Sequence, residues 1–338
     1  MRAVAYEQSL PIEADNSLID VELPRPEPQG RDLLVEIRAV SVNPVDTKVR
    51  MRAQPEPGRP KVLGYDAAGI VRATGPDATL FKPGDEVFYA GAITRQGTNA
   101  EYHAVDERLV GSKPASLGFE EAAALPLTAL TAWETLFDRL DIRRPVPGVA
   151  NAILIVGGAG GVGSMAIQLA RRLTDLTIIS TASRPETQDW CRELGAHHVV
   201  DHGRPIAAQV EALGLGAPAL AFSITHTDEH FPAIAELIAP QGRFALIDDP
   251  RAPLDILRLK GKSVSIHWES MFTRSTFQTA DMERQHEILN EVARLIDAGT
   301  IRTTLAEVFG PIDAANLRRA HAFIESGRAR GKIVLSGF

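Results

Sequence analysis

Cysteine is nearly absent. Cys191 is the single one in 338 residues, which excludes an internal disulfide and any multi-cysteine zinc site. Long apolar runs are lacking too: no stretch approaches the roughly 20 residues a membrane-crossing helix needs. The first residues, Met-Arg-Ala-Val-Ala-Tyr-Glu, carry an acid by position 7 and no apolar core, so they do not read as a secretory signal. Nor is there an excess of basic residues. Thirty-six Lys and Arg stand against 43 Asp and Glu, a net charge of −7, whereas a nucleic-acid binder carries a concentrated basic face. The expected setting is a reducing cytoplasm, with neither nucleic acid nor membrane as partner.

What is present is glycine in one telling place. The apolar run Ala152-Ile-Leu-Ile-Val156 reads as a buried parallel strand and feeds Gly157-Gly-Ala-Gly-Gly-Val-Gly163. Helical apolar spacing follows at Met165, Ile167, Leu169, Ala170 and Leu173. Gly158, Gly160 and Gly163 satisfy the G-x-G-x-x-G pattern of a dinucleotide site. One glycine permits the turn, the next lets backbone approach a pyrophosphate, and the third packs helix on strand. Gly158, Gly160, Gly161, Val162 and Gly163 are therefore the expected phosphate-binding residues, with the helix amino end holding the charge.

The next strand, 176–181, should end at the adenosine ribose. An NAD site places Asp or Glu there, about 20 residues past the glycines, to hold the 2′-hydroxyl. Here that place holds Ala182-Ser183-Arg184. A hydroxyl and a guanidinium suit a 2′-phosphate, because Arg binds phosphate through a planar charge-assisted fork. NADPH is the expected cofactor, read by Ser183 and Arg184. The alternative is that Ser183 merely caps the helix beginning near Pro185 while Arg184 lies in solvent.

Texture divides the chain. Residues 1–126 are β-rich, with strands expected at Arg2–Tyr6, Leu33–Val42, Ala68–Ala73, Glu86–Ala90 and Tyr102–Val105 between Pro- and Gly-rich connectors. Residues 127–270 alternate strand and helix, the signature of a doubly wound parallel sheet, while one long helix is expected over 119–139. Residues 271–338 form a mixed tail returning to the first domain. The fold class is α/β.

Five stretches then carry a resemblance across nearly the whole chain: Val42-Asn-Pro-Val-Asp46, Gly64-Tyr-Asp-Ala-Ala-Gly69, Phe81-Lys-Pro-Gly-Asp-Glu-Val87, Gly157–Gly163 and Gly331-Lys-Ile-Val-Leu335. The chain resembles the medium-chain dehydrogenase/reductase superfamily, a GroES-like substrate domain around a Rossmann domain. Within it the chain is most similar to the zinc-independent quinone oxidoreductase branch, and to the bacterial group labelled zinc-type alcohol dehydrogenase-like. Ser265-Ile-His-Trp-Glu-Ser-Met-Phe-Thr-Arg274 looks like that group's signature.

Zinc members of the superfamily place Cys near the Asn43–Asp46 turn, a His–Glu pair at the Gly64–Gly69 motif, and a second Cys before the Rossmann domain. Here Asn43 to Asp46, Tyr65-Asp66 and Leu125-Pro-Leu-Thr128 stand there, so no zinc is expected. The resemblance implies that Asn43 and Thr128 approach the nicotinamide, and that Lys332 serves the phosphates or the cleft. Tyr65, with Asn43 and Asp46, is the expected catalytic set, Tyr65 donating to a developing oxyanion; the alternative is a packed aromatic. His226-Thr-Asp-Glu-His230 spells a metalloprotease pattern that works only within a helix. His226 is expected instead at a strand end, lining the cofactor site, with Thr227 or Asp228 capping the next helix. His197, His198 and His202 read as ordinary loop and edge residues. Phe272 is expected at the substrate cleft, and the resemblance implies a homodimer joined through the edge strand 263–268. Without a metal, hydride transfer from NADPH to a quinone is the leading expectation. An alkenal or enone reductase, or a non-catalytic NADPH-binding redox sensor, are the alternatives.

Overall fold

The computed structural model describes residues 1–338. Two compact units divide it: Met1–Leu130 with Phe272–Phe338, and Thr131–Met271.

In the second unit six strands lie in the order His198–Val200, Thr177–Thr181, Ala150–Val156, Pro218–Ser223, Arg243–Leu246, Ser265–Trp268. Every neighbouring pair is parallel. Ile153, Leu154, Ile155 and Val156 are buried, as continuous apolar strands between helix layers must be. The chain reverses its winding direction beside Ala150–Val156. Ligands of open α/β sheets collect at such a switch point, beyond the strands' carboxyl ends. Helix Gly161–Leu173 occupies the span that the apolar spacing predicts.

The first unit is built on a seven-stranded sheet. Its path runs Leu305–Val308, Lys332–Ser336, Asp32–Val42, Ala67–Thr74, Glu86–Tyr89, Val110–Ser112, with Tyr102–Asp106 also paired to Asp32–Val42. A smaller sheet joins Ile19–Glu22, Arg2–Tyr6 and Lys61–Val62. The last strand pairs antiparallel with the long third one, Ile333 opposite Val42. Val40 pairs with Ala67 on the other side. Those two registers carry Lys332, Asn43 and Asp66 to one spot.

Two local expectations are corrected. The single helix over 119–139 is instead Phe119–Ala123, Pro126–Trp133 and a π-helical turn Glu134–Arg139. Pro126 lacks an N–H and disfavours helix in the residue before it, so the chain breaks there. The Asn43–Asp46 turn continues as helix Pro44–Arg52. Its sequence has no apolar stripe, but Asn43 at the N-cap, Pro44 at the first helical position and Asp46 two further on form a start signal.

Lys332 and Asp66 are both buried, with Nζ 3.0 Å from Asp66 Oδ2. Removing one partner of such a pair strands the other charge, so Lys332→Met is expected to cost about 3–5 kcal/mol of stability. Urea unfolding monitored by circular dichroism checks this; a loss below about 1 kcal/mol, the scale of exposed pairs, contradicts it.

Candidate functional site

In the second unit the glycine turn is tied to the neighbouring strand. The Gly157 N–H donates to Thr181 Oγ1 and the Gly158 N–H to Thr181 O, each at 3.0 Å. Two glycines are required by the protein's own packing. A Cβ on Gly158 would lie 1.8 Å from Ser180 Oγ, and one on Gly163 would lie 2.3 Å from Gly157 O. Gly160 differs: at the N-cap of the helix, its Cβ would meet nothing closer than Gly157 O at 3.8 Å. The first intrahelical bond is Ser164 N–H to Gly160 O, at 2.8 Å. The N–H groups before it have no intrahelical acceptor. Open space at Gly160 facing free donors fits a pyrophosphate.

At the adenosine end Ser183 is exposed and is not the helix cap; that position belongs to Arg184, before helix Pro185–Leu194. Arg184 Nε lies 2.8 Å from Glu186 Oε1. Glu186 lies about three residues past the place where a ribose-binding acid stands, so the motif does not mark it. His226 is exposed in the left-handed region (φ 50°), itself the N-cap of Thr227–Leu237 rather than followed by the cap. The Thr227 N–H instead donates to Asp248 Oδ2 at 3.0 Å. His226 thus lies outside the helix that holds His230, and no group of three His, Cys, Asp or Glu side chains is disposed to hold a metal ion.

The first unit gathers Asn43, Asp46, Tyr65, Asp66, Thr128 and Lys332, all buried. Asp46 Oδ2 accepts from the Asn43 N–H (2.7 Å) and Oδ1 from the Gly64 N–H (2.9 Å). Asp66 Oδ1 accepts from the Leu127 N–H (2.7 Å), and Oδ2 from Asn43 Nδ2 (2.8 Å) and Lys332 Nζ. Lys332 Nζ also donates to Val42 O at 3.0 Å and to Asn43 Oδ1. An ammonium has three donors. Lys332, expected at the phosphates or cleft, therefore has none left for a ligand here. Thr128 Oγ1 donates to Leu125 O at 3.1 Å.

Gly64 makes the turn that presents Tyr65. Its φ is +111°, and a Cβ there would lie 2.5 Å from Thr98 Oγ1. Tyr65 is 1% exposed, and its ring meets Phe272 edge-on at 5.4 Å. Its hydroxyl is buried without a hydrogen-bond partner, a costly state for a native side chain. Burial, then the nearby Asp46, hold the phenol above its usual range and so protonated. Burial also pushes Asp46 up to about 7, against the N–H bonds it accepts and Lys332. Asp66 is pushed up by burial and opposed chiefly by Lys332.

This donor set does not fit a catalytic zinc. No Cys or His belongs to it, and the Asp66 carboxylate is held by an ammonium, an amide and a backbone N–H. A dication beside that ammonium would meet direct repulsion.

Fold and glycine turn together define a two-unit dehydrogenase of the dinucleotide-binding kind. Residues 29–131 match the family described as alcohol dehydrogenase GroES-like domain, and residues 194–335 that described as zinc-binding dehydrogenase. A zinc-type alcohol dehydrogenase-like protein of Staphylococcus aureus is 40% identical over 99% of this chain and 100% of its own. A Pseudomonas aeruginosa quinone oxidoreductase is 31% identical over 91% of this chain and 92% of its own. A Rhizobium etli crystal structure, provisionally named a zinc-dependent alcohol dehydrogenase, gives a TM-score of 0.98 at 65% identity. It covers 100% of this chain and 98% of that one. A mycobacterial protein solved with NADPH gives 0.83 at 26% identity, covering 99% and 100%. The chain belongs to the medium-chain dehydrogenase/reductase superfamily and is an oxidoreductase of that family.

The contrast among the glycines is testable by paired substitutions. Gly163→Ala is expected to lower stability by about 1–3 kcal/mol, the usual overpacking cost. Gly160→Ala is expected to leave the unfolding midpoint unchanged while weakening NADPH binding in a fluorescence titration. Equal effects of both on stability would contradict the assignment.

Proposed function

We propose that this chain is an NADPH-dependent reductase that transfers hydride to a quinone without zinc. The observation that carries the reading is the buried, unpartnered Tyr65 hydroxyl, set where the donor chemistry does not suit a metal. NADPH, when bound, supplies the hydride. Gly158, Gly160, Gly161, Val162 and Gly163 hold its pyrophosphate, and Ser183 and Arg184 its 2′-phosphate, with Arg184 exchanging Glu186 for the ligand. His226 borders the same sheet end. Tyr65 donates a hydrogen bond to the acceptor's oxygen as negative charge develops. Asn43 and Asp46 fix the turn beside it, Thr128 approaches the nicotinamide, and Phe272 walls the acceptor against the Tyr65 ring.

A homodimer joined through strand Ser265–Trp268 belongs to this reading. The strand pairs on one side only, and Trp268, Ile256 and Leu257 beside it are exposed. Unpaired apolar edges seek a partner. The proposed setting is cytoplasmic; no helix is long and apolar enough to cross a membrane.

The deciding experiment follows NADPH consumption by protein stripped of metal, against quinones, enals, enones and alcohol/aldehyde pairs. Turnover with quinones is expected. Turnover confined to enals and enones moves the assignment to double-bond reduction, and binding without turnover to a sensor. Recovery of activity only with stoichiometric zinc would sink the metal-free reading. Tyr65→Phe is expected to lower kcat about 100-fold, the scale of losing one oxyanion donor; unchanged kcat/KM for every acceptor removes Tyr65 from the mechanism. Arg184→Ala is expected to cut the preference for NADPH over NADH about tenfold or more, read from the ratio of the two Kd values.

A further inference from the structure

Helix Ala314–Glu325 buries one face, formed by Ala314, Leu317, Ala320 and His321. The first three are apolar, as helical spacing on a packed face requires. His321 is the exception, and it is 0% exposed. The helix packs against Pro44–Arg52, from which the fully buried Arg50 donates to Leu10 O and to Glu325 Oε1. Neither ring nitrogen of His321 has a hydrogen-bond partner, and Arg50 Nε has none either. We propose that His321 and Arg50 form an acid-operated release: a proton on the imidazole parts helix Ala314–Glu325 from helix Pro44–Arg52.

A neutral imidazole buried without partners is costly, and an imidazolium in the same place is far more so. Both of its N–H groups would lack an acceptor, and its charge would meet that of the Arg50 guanidinium in a dry interior. Glu325, four residues on along the same helix, is the natural counter-ion, but its carboxylate is committed to Arg50. Asp20 and Arg318 act at the helix's amino end, where Asp20 Oδ1 accepts the Ala314 N–H at 2.9 Å and Arg318 donates to Leu18 O at 2.6 Å. Strands Asp32–Val42 and Lys332–Ser336 also pack on the helix, and neither brings a charge that acts on the ring. Burial first, then Arg50, push the imidazole down from 6.5 to about 3. The fold therefore holds the neutral ring. Its contribution to stability is complete above about pH 6.5 and is lost as pH falls from there toward 3.

His103 shows the difference a partner makes. It is buried too, but its Nε2 meets Gln96 O at 2.9 Å and its Nδ1 the Tyr89 hydroxyl at 3.0 Å. Asp46 and Asp66 are pushed up by burial, so their titration favours the fold as pH falls and opposes the effect of His321. The release reaches the candidate site through helix Pro44–Arg52. In its first turn the Asp46 carboxylate accepts the Asn43 and Gly64 N–H groups and so holds the turn that presents Tyr65. This coupling is indifferent to which acceptor the protein reduces.

Hydrogen exchange over residues 314–325 of the whole chain, read by mass spectrometry and corrected for intrinsic rates, tests this without turnover. His321→Leu and His321→Gln carry no titrating ring. Below about pH 6.5 the wild-type opening constant is expected to rise, relative to either variant, about tenfold for each pH unit. In the folded wild type, NMR of the imidazole carbons is expected to show a neutral His321 down to about pH 5. A pH dependence of opening shared by wild type and the variants overturns the proposal. So does a His321 that gains its proton near the ordinary histidine value while helix Ala314–Glu325 stays protected. Should one variant not fold, the other supplies the comparison, and the wild-type NMR titration decides alone if neither does.

Discussion

The contact between Lys332 and Asp66 organises the first unit. An ammonium and a carboxylate taken out of water lose several kcal/mol of hydration each, and recover it only when their remaining hydrogen-bonding capacity is filled. Here it is filled from two further segments, so that four separated stretches of chain meet at the pair. Val42 O and Asn43 Oδ1 take two of the ammonium's hydrogens, and the Leu127 N–H and Asn43 amide take up the carboxylate's lone pairs. The last strand cannot leave the sheet, nor the Pro126 helix shift, without exposing a charge to an unsatisfied interior. Tyr65, next in sequence to Asp66, inherits its place from that lock. Its hydroxyl is left over after every neighbour is paired, so its position is set by interactions in which it takes no part.

The glycine turn of the second unit shows the same division between structure and ligand. Gly158 and Gly163 are explained by protein atoms within 3 Å of any added Cβ, and Gly160 is not. A residue whose smallness serves nothing in the protein points outward to what the protein holds. Glu186 sharpens the reading at the far end of the nucleotide. A carboxylate ion-paired with Arg184 keeps the guanidinium placed, and would compete with a phosphate arriving there. On the proposed NADPH reading, discrimination at this position depends on which anion Arg184 prefers, not on the bare presence of Arg.

Much of the second unit was legible because its signals are local. Buried parallel strands are continuous apolar runs, and Gly161–Leu173 announces itself by glycine at its start and apolar spacing within. The first unit was less legible. Helix Pro44–Arg52 has capping residues but no apolar stripe, and reads as a turn. Short strands such as Lys61–Val62 and Val110–Ser112 are too brief for alternation to register. Motif positions marked Asn43 and Lys332 as neighbours of chemistry, and Asp66 only as a place where a zinc ligand is missing. The work they do depends on strand registers joining positions nearly 300 residues apart, which no window on the sequence reports.

The electrostatics of the Lys332 cluster bear on which acceptors suit the protein. A metal dication polarises a poorly reactive alcohol or carbonyl by Lewis acidity. The cation here is single, and all three of its hydrogens are committed to internal acceptors, so little of its field is directed at a substrate. The remaining donor is a neutral phenol that burial keeps protonated. One neutral hydrogen bond stabilises an emerging oxyanion by far less than a metal does, and the substrate must supply the difference through its own electrophilicity. Quinones gain aromaticity on reduction, and enones delocalise the incoming charge onto oxygen; a simple alcohol–aldehyde couple offers neither. On the proposed reading, Tyr65 and Asp66, standing where zinc members of the superfamily have a His–Glu pair, move the chemistry toward acceptors that need orientation more than activation.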